Sequence, residues 1–193
     1  CFDFDCKDKV EPNVLSLYNQ SIVPFTQMLD EFEINYMLEF SGRRGIHVWI
    51  TFDKLITKEL GYRIVCKLEQ CCPALYGIME SEEWGLDRFP ATDSSRNNIV
   101  GKQVKFPLSC HMDRSFFFTR SFQKKEDTES KKFFQEQLTI LEDYKPNDIE
   151  VITSRLGIDI SHSDEVKLKY RKYRLAGKIE ITVDQVIDIL SET

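Results

Sequence analysis

Phe2, Phe4 and Cys6 alternate with Asp3 and Asp5, the period-two pattern of a strand with one apolar and one polar face. An apolar-leaning run through Ile34, Tyr36 and Leu38 ends at Phe40 and resumes at Ile46-His47-Val48-Trp49-Ile50 after a glycine-flanked Arg43-Arg44. That pattern predicts strand, tight turn, strand. Between these strands Val14, Leu17, Tyr18, Ile22, Phe25 and Leu29 fit a helix packed on one face, with Pro24 expected to kink it. From Thr57 to Tyr76, Leu60, Ile64, Val65 and Leu68 predict a second sheet-covering helix that stops or bends at Cys72-Pro73. Ser94-Ser95-Arg96-Asn97-Asn98 reads as a polar turn leading to a strand that carries Val104, and Phe116-Phe117-Phe118 as a buried strand. After a charged connector from Gln123 to Thr128 the composition turns helical. Helices are predicted over 130–142, 147–156, 163–175 and 183–191, with Asp148 and Ser163-Asp164-Glu165 as start signals. The expected class is α+β, with a core over residues 1–122 and a small, mainly helical C-terminal appendage over 123–193.

The 193 residues, 41% of them hydrophobic and 12% aromatic, suffice for one well-filled core. A net charge of −6 and a pI near 5.2 argue against a protein that clamps a long duplex with its whole surface. Any nucleic-acid contact must be local. Six cysteines, with neither a signal peptide nor an apolar run of transmembrane length, point to a reducing intracellular compartment, the cytoplasm or, in a eukaryote, the nucleus, and to no membrane partner. Because the chain opens directly on the acid-bearing strand, residues before Cys1 are expected to be missing.

That strand carries the first candidate chemistry. Asp3 and Asp5 project to the same side, roughly 7 Å apart at the backbone, and hard cations such as Mg²⁺ or Mn²⁺ prefer oxygen ligands. A pair of ions roughly 4 Å apart, as in metal-assisted phosphoryl transfer, needs a third acid from elsewhere. Alone, the two acids read more readily as a solvated strand edge. The turn Ser41-Gly42-Arg43-Arg44-Gly45 adds two forked guanidiniums between glycines that permit positive φ and close backbone approach, a tip suited to a polyanion. His47 on the following strand and the Ser41 hydroxyl could add donors to it.

The acid pair followed by Ser-Gly-Arg-Arg-Gly-x-His and an apolar strand resembles the archaeo-eukaryotic primase superfamily of primases and primase-polymerases. The resemblance implies an RRM-like antiparallel sheet covered by helices. It further implies that Asp3 and Asp5 bind catalytic metals, and that Ser41, Arg43, Arg44 and His47 hold the triphosphate of an incoming nucleotide. Family members carry a third carboxylate followed by a segment close to Lys-x-Pro-apolar-Ser-x-His, matched here by Lys105-Phe106-Pro107-Leu108-Ser109-Cys110-His111. Asp93 is thereby the candidate third ligand, with Asp87 and Asp113 as less favoured substitutes, and Lys105 and His111 join the nucleotide-binding set. The implied activity is template-directed nucleotidyl transfer for primer synthesis or extension. It would use two divalent cations, a DNA template and primer, and NTP or dNTP substrates, with further domains outside this chain.

Some primase small subunits carry zinc between the two motifs, but no cysteine lies there. Cys66, Cys71 and Cys72 come afterwards as C-x₄-C-C, so no zinc is expected. This departure favours a primase-polymerase of bacterial, archaeal or mobile-element type, including CRISPR-associated ones, over a replicative-type small catalytic subunit. Lys167, Lys169, Arg171, Lys172 and Arg174, interleaved with Tyr170 and Tyr173, form the densest basic-aromatic cluster and are candidates, with Arg96, for nucleic-acid contact. A solvated helix face would read the same way. Two rivals stand beside this function: a metal-dependent nuclease, which needs clustered acids but no triphosphate cradle, and an inactive nucleic-acid-binding module.

Overall fold

The computed structural model describes residues 1–91, 104–105, 107–109, 113–125 and 127–160. Among them five strands form one antiparallel sheet in the order β4-β1-β3-β2-β5: β1 (Phe2–Cys6), β2 (Met37–Phe40), β3 (Gly45–Trp49), β4 (Trp84–Arg88) and β5 (Phe116–Phe118). The α+β class is as expected. Period-two alternation sends Phe2, Phe4, Leu38, Phe40, Ile46, Val48, Phe116 and Phe118 into one buried cluster with the helices that cover that face. Phe25 stands at its centre, with ring centroids 4.7 Å from Phe2 and 5.7 Å from Phe4.

The covering layer begins with α1 (Val14–Leu17), capped by the Asn13 side chain, and α2 (Val23–Glu31). The helical run is continuous from Val14 to Glu31, and the irregularity expected at Pro24 takes the form of a wide π turn over Tyr18–Ile22 immediately before it. α3 (Lys58–Cys71) starts at the Thr57 cap and stops at Cys72-Pro73 as expected, where Cys72 is extended and α4 (Pro73–Glu80) begins. β4 was not anticipated. Val104 and Lys105 lie in irregular backbone, not in the strand expected there.

α5 (Lys131–Asp143) and α6 (Ile149–Arg155) begin at Ser130 and Asp148, close to the expected boundaries. Phe133, Phe134, Ile149, Ile152 and Leu156 join the same buried cluster as the sheet. Asn147 ties this segment down, accepting from the Asn35 N–H at 2.7 Å and donating to the carbonyls of Asn35 and Thr51 at 2.8 and 3.0 Å. Gln137 closes the outer edge of β5, accepting from the Phe117 N–H and donating to its carbonyl. Residues of α5 and α6 thus share the core of the preceding part. The helices expected over 163–175 and 183–191 lie outside the described residues. No helix among the described residues is long and apolar enough to cross a membrane.

Truncating Phe25 removes the ring on which β1 rests. Phe25→Ala is expected to lower unfolding free energy by about 3–5 kcal/mol, read as a lower urea midpoint with an unchanged slope.

Candidate active site

Strand register assembles the site on the sheet face opposite the apolar cluster. Asp3 pairs with His47 on one side and Asp87 on the other, and His47 pairs in turn with Glu39. Asp87, Asp3, His47 and Glu39 therefore form one row across four strands. One step along β1, Asp5 lies between Gly45 and Gly85. A Cβ on residue 45 would overlap the Asp5 carboxylate and the Phe4 carbonyl, so Gly45 serves by close approach and not by positive φ. Gly42 is the residue with positive φ, at 86°, and a Cβ there would strike the Asp113 carbonyl.

The Ser41–Gly45 turn folds beside these acids. The Ser41 N–H donates to the Gly45 carbonyl at 2.9 Å, and the Gly45 N–H returns to the Ser41 hydroxyl oxygen at 3.1 Å. Arg44 swings toward β1, with Nη2 2.7 Å from Asp5 Oδ2 and Nη1 donating to the Cys6 carbonyl. Arg43 runs outward to the Lys9 carbonyl at 3.5 Å. From the far loop Lys105 reaches in, its Nζ donating to the Ser41 carbonyl at 3.2 Å. A cavity of about 360 Å³ opens over Asp3, Asp5 and Asp87, with Lys7, Arg44 and Trp84 in its wall.

A family model described as the Archaeo-Eukaryotic Primase domain of the TOTE conflict system matches residues 1–150. The chain belongs to this family. No curated protein matches it. The family is one of primase-like nucleotidyltransferases, and the match spans every strand of the sheet together with α5.

In this primase domain Asp3, Asp5, Ser41, Arg44, His47 and Lys105 lie in one region of the sheet, whereas Arg43 is turned toward the Lys9 carbonyl. Asp93, His111 and Arg96 lie outside the described residues, as do Lys167, Lys169, Arg171, Lys172 and Arg174. Asp87, held earlier as a substitute third acid, is the carboxylate opposite Asp3. Asp113, the other substitute, pairs with Lys124 at 3.1 Å and gives its N–H to the Gly42 carbonyl, away from the acid cavity.

Sequence reading missed Glu39. It is fully buried, with Oε2 2.9 Å from His47 Nδ1 and accepting from Trp49 Nε1 at 2.8 Å. Burial alone would raise its carboxyl, but the donors from His47 and Trp49 hold it below the ordinary range. The only available signal was parity: Glu39 alternates with Leu38 and Phe40, so it shares a face with the acids once the sheet register is known.

Asp3 is pushed up to about 6, first by burial and then, against the opposing pull of His47, by the like charges of Asp5 and Asp87. Burial likewise raises Asp5, although Arg44 and His47 oppose it. Asp3 Oδ1 is buried without a hydrogen-bond donor, and His47 Nε2, 3.4 Å away, makes an electrostatic contact only. An orphaned carboxylate oxygen facing further acids is the donor type a hard divalent cation takes. Asp3, Asp5 and Asp87 supply that donor type along one cavity, although as placed no three His, Cys, Asp or Glu side chains among the described residues close on one ligand point. Arg44 already occupies Asp5.

Since the folded protein keeps the Asp3 proton to about pH 6, against 3.8 for the ordinary group, it binds more protons than the unfolded chain in that window. Stability should therefore fall as pH rises from about 4 to about 6 and level off above. Asp3→Asn removes the penalty: in EDTA it should exceed the parent by about 1–3 kcal/mol above pH ~7 and match it near pH ~4. Urea unfolding across pH checks this; identical pH profiles would rule the burial penalty out.

Proposed function

We propose that this domain is a metal-dependent primase-polymerase that transfers nucleotides from NTPs or dNTPs to a primer on a DNA template. The observation that carries the proposal is the juxtaposition of three strand-borne carboxylates with Arg44 of the glycine-flanked turn along one cavity. A nuclease would use the acids but has no need of the turn.

Asp3, Asp5 and Asp87 would hold two divalent cations, Mg²⁺ or Mn²⁺, which supply acidification of the attacking hydroxyl and neutralisation of phosphate charge. The protein's own groups do the rest. Arg44 and Arg43 offer forked donors for phosphate oxygens, Lys105 adds a point charge at the Ser41 carbonyl, and His47 faces the row from β3. In the reaction the primer 3′-oxygen bonds to the α-phosphorus, the bond from that phosphorus to its bridging oxygen breaks, and pyrophosphate leaves. Fixing the triphosphate in line is the contribution expected of the turn. The conflict-system setting of the family favours work during genome conflict over housekeeping replication.

Primer extension and primer synthesis with labelled ribo- and deoxynucleotides test this reading. Asp3→Ala, Asp5→Ala and Asp87→Ala should each lower incorporation by about a hundredfold or more. A variant at Asp93 run beside them discriminates the third acid, and full activity in Asp87→Ala would remove it from the metal set. Arg44→Ala should raise the nucleotide KM about tenfold to a hundredfold, the loss of charge-assisted hydrogen bonds worth about 1.5–3 kcal/mol. Absence of any incorporation by the parent with either cation would refute the polymerase assignment.

A further inference from the structure

Glu39 is buried in the middle of the sheet and lines neither the acid cavity nor the Arg-Arg turn. A carboxylate in such a place is costly unless its oxygens are fully engaged, and an apolar residue like its neighbours Leu38 and Phe40 would suffice for packing. Its partners explain it. Oε2 takes the Trp49 indole at 2.8 Å and lies 2.9 Å from His47 Nδ1, while Oε1 accepts the Leu108 N–H at 3.0 Å. These donors come from two segments far apart in the chain: the strand that follows the turn, and the loop that carries Lys105.

Leu108 adopts φ 60°, a left-handed conformation uncommon for a leucine. Both of its peptide groups are held. Glu39 takes the N–H, and Arg114 Nη1 donates to the carbonyl at 3.4 Å, itself anchored by Glu129 through two contacts of 3.1 Å. The Ser115 N–H to the Ser109 carbonyl, at 3.0 Å, closes the same loop. Lys105, three residues before Leu108, donates to the Ser41 carbonyl at 3.2 Å. On the other arm of Glu39, occupation of Nδ1 leaves His47 Nε2 directed at Asp3.

We propose that Glu39 is a positioning residue for nucleotide binding, one carboxylate that sets both the His47 ring and the Lys105 loop against the Ser41–Gly45 turn. For the identity of the ligand this rests on the nucleotidyl-transfer reading above. Glutamine is not an equivalent here: its single carbonyl oxygen cannot serve both arms, and its NH₂ would face donors on one of them.

The experiment compares Glu39→Gln in the parent and in a His47→Ala/Lys105→Ala background. It reads binding of a non-hydrolysable nucleoside triphosphate by fluorescence titration, incorporation kinetics and melting temperature. In the parent background Glu39→Gln should weaken binding and raise KM about tenfold to a hundredfold, with a smaller change in kcat. In the doubly substituted background the same change should alter binding less than about twofold, because nothing remains to be positioned. Unchanged affinity in the parent background, or an equal loss in both backgrounds, overturns the proposal. Should Glu39→Gln fail to fold, long-range ¹H–¹⁵N spectra of the parent decide: a proton on His47 Nδ1 supports the arrangement and a bare Nδ1 overturns it. A parent that binds triphosphate without incorporating it overturns nucleotidyl transfer and leaves the positioning test readable through binding. A parent that incorporates normally, with Glu39→Gln indistinguishable from it, overturns the positioning alone.

Discussion

The register of β1 between β3 and β4 is the constraint on which the site depends. Because strand side chains alternate, one pairing choice decides both what packs under the helices and what gathers above. With Phe2 opposite Val48 and Arg88, the phenylalanines seal the core and Asp3 falls between His47 and Asp87. A slip of one residue would bury both aspartates beneath α2 and expose Phe2 and Phe4. The hydrophobic effect on one face therefore enforces the acidic row on the other, where the acids by themselves repel.

Local patterns were legible wherever one segment carries its own signal. The Phe-Asp alternation, the Ser-Gly-Arg-Arg-Gly turn, Phe116-Phe117-Phe118 and the capped starts of α5 and α6 all read correctly from short windows. β4 did not, because Trp84-Gly85-Leu86-Asp87-Arg88 is an edge strand without a buried run, its residues half-covered or exposed. That one omission hid Asp87: its distance in sequence from Asp3 says nothing until the strands are paired. Glu39 was hidden differently. A single acid in an apolar strand reads as a solvent-facing position, and only the cross-strand pairing with His47 turns it inward.

The glycines show how the same residue type answers two physical demands. Gly42 supplies a left-handed backbone under the Asp113 carbonyl, whereas Gly45 has ordinary φ and yields space to the Asp5 carboxylate. Sequence alone offers both explanations for either position. Structure separates them, and it ties each to the site: one glycine shapes the turn that carries the arginines, the other lets an acid lie across its neighbouring strand.

Charge balance links the two halves of the site. In the free protein Arg44 is the internal counter-ion of Asp5, while Asp3 carries an oxygen with no donor. The cation of the turn and the anions of β1 thus partly neutralise each other, and the remaining burial cost is expressed in the raised Asp3. On the proposed reading, a nucleotide arriving with its divalent cations supplies both missing partners together: cations for the carboxylates and phosphates for the guanidiniums. Each exchange alone carries a cost, because cations displacing Arg44 leave a guanidinium without its anion, and phosphates taking Arg44 leave Asp5 without its counter-ion. On that reading, coupling the two exchanges would favour metal and triphosphate in combination, and it would act through the Arg44–Asp5 ion pair that joins the turn to β1.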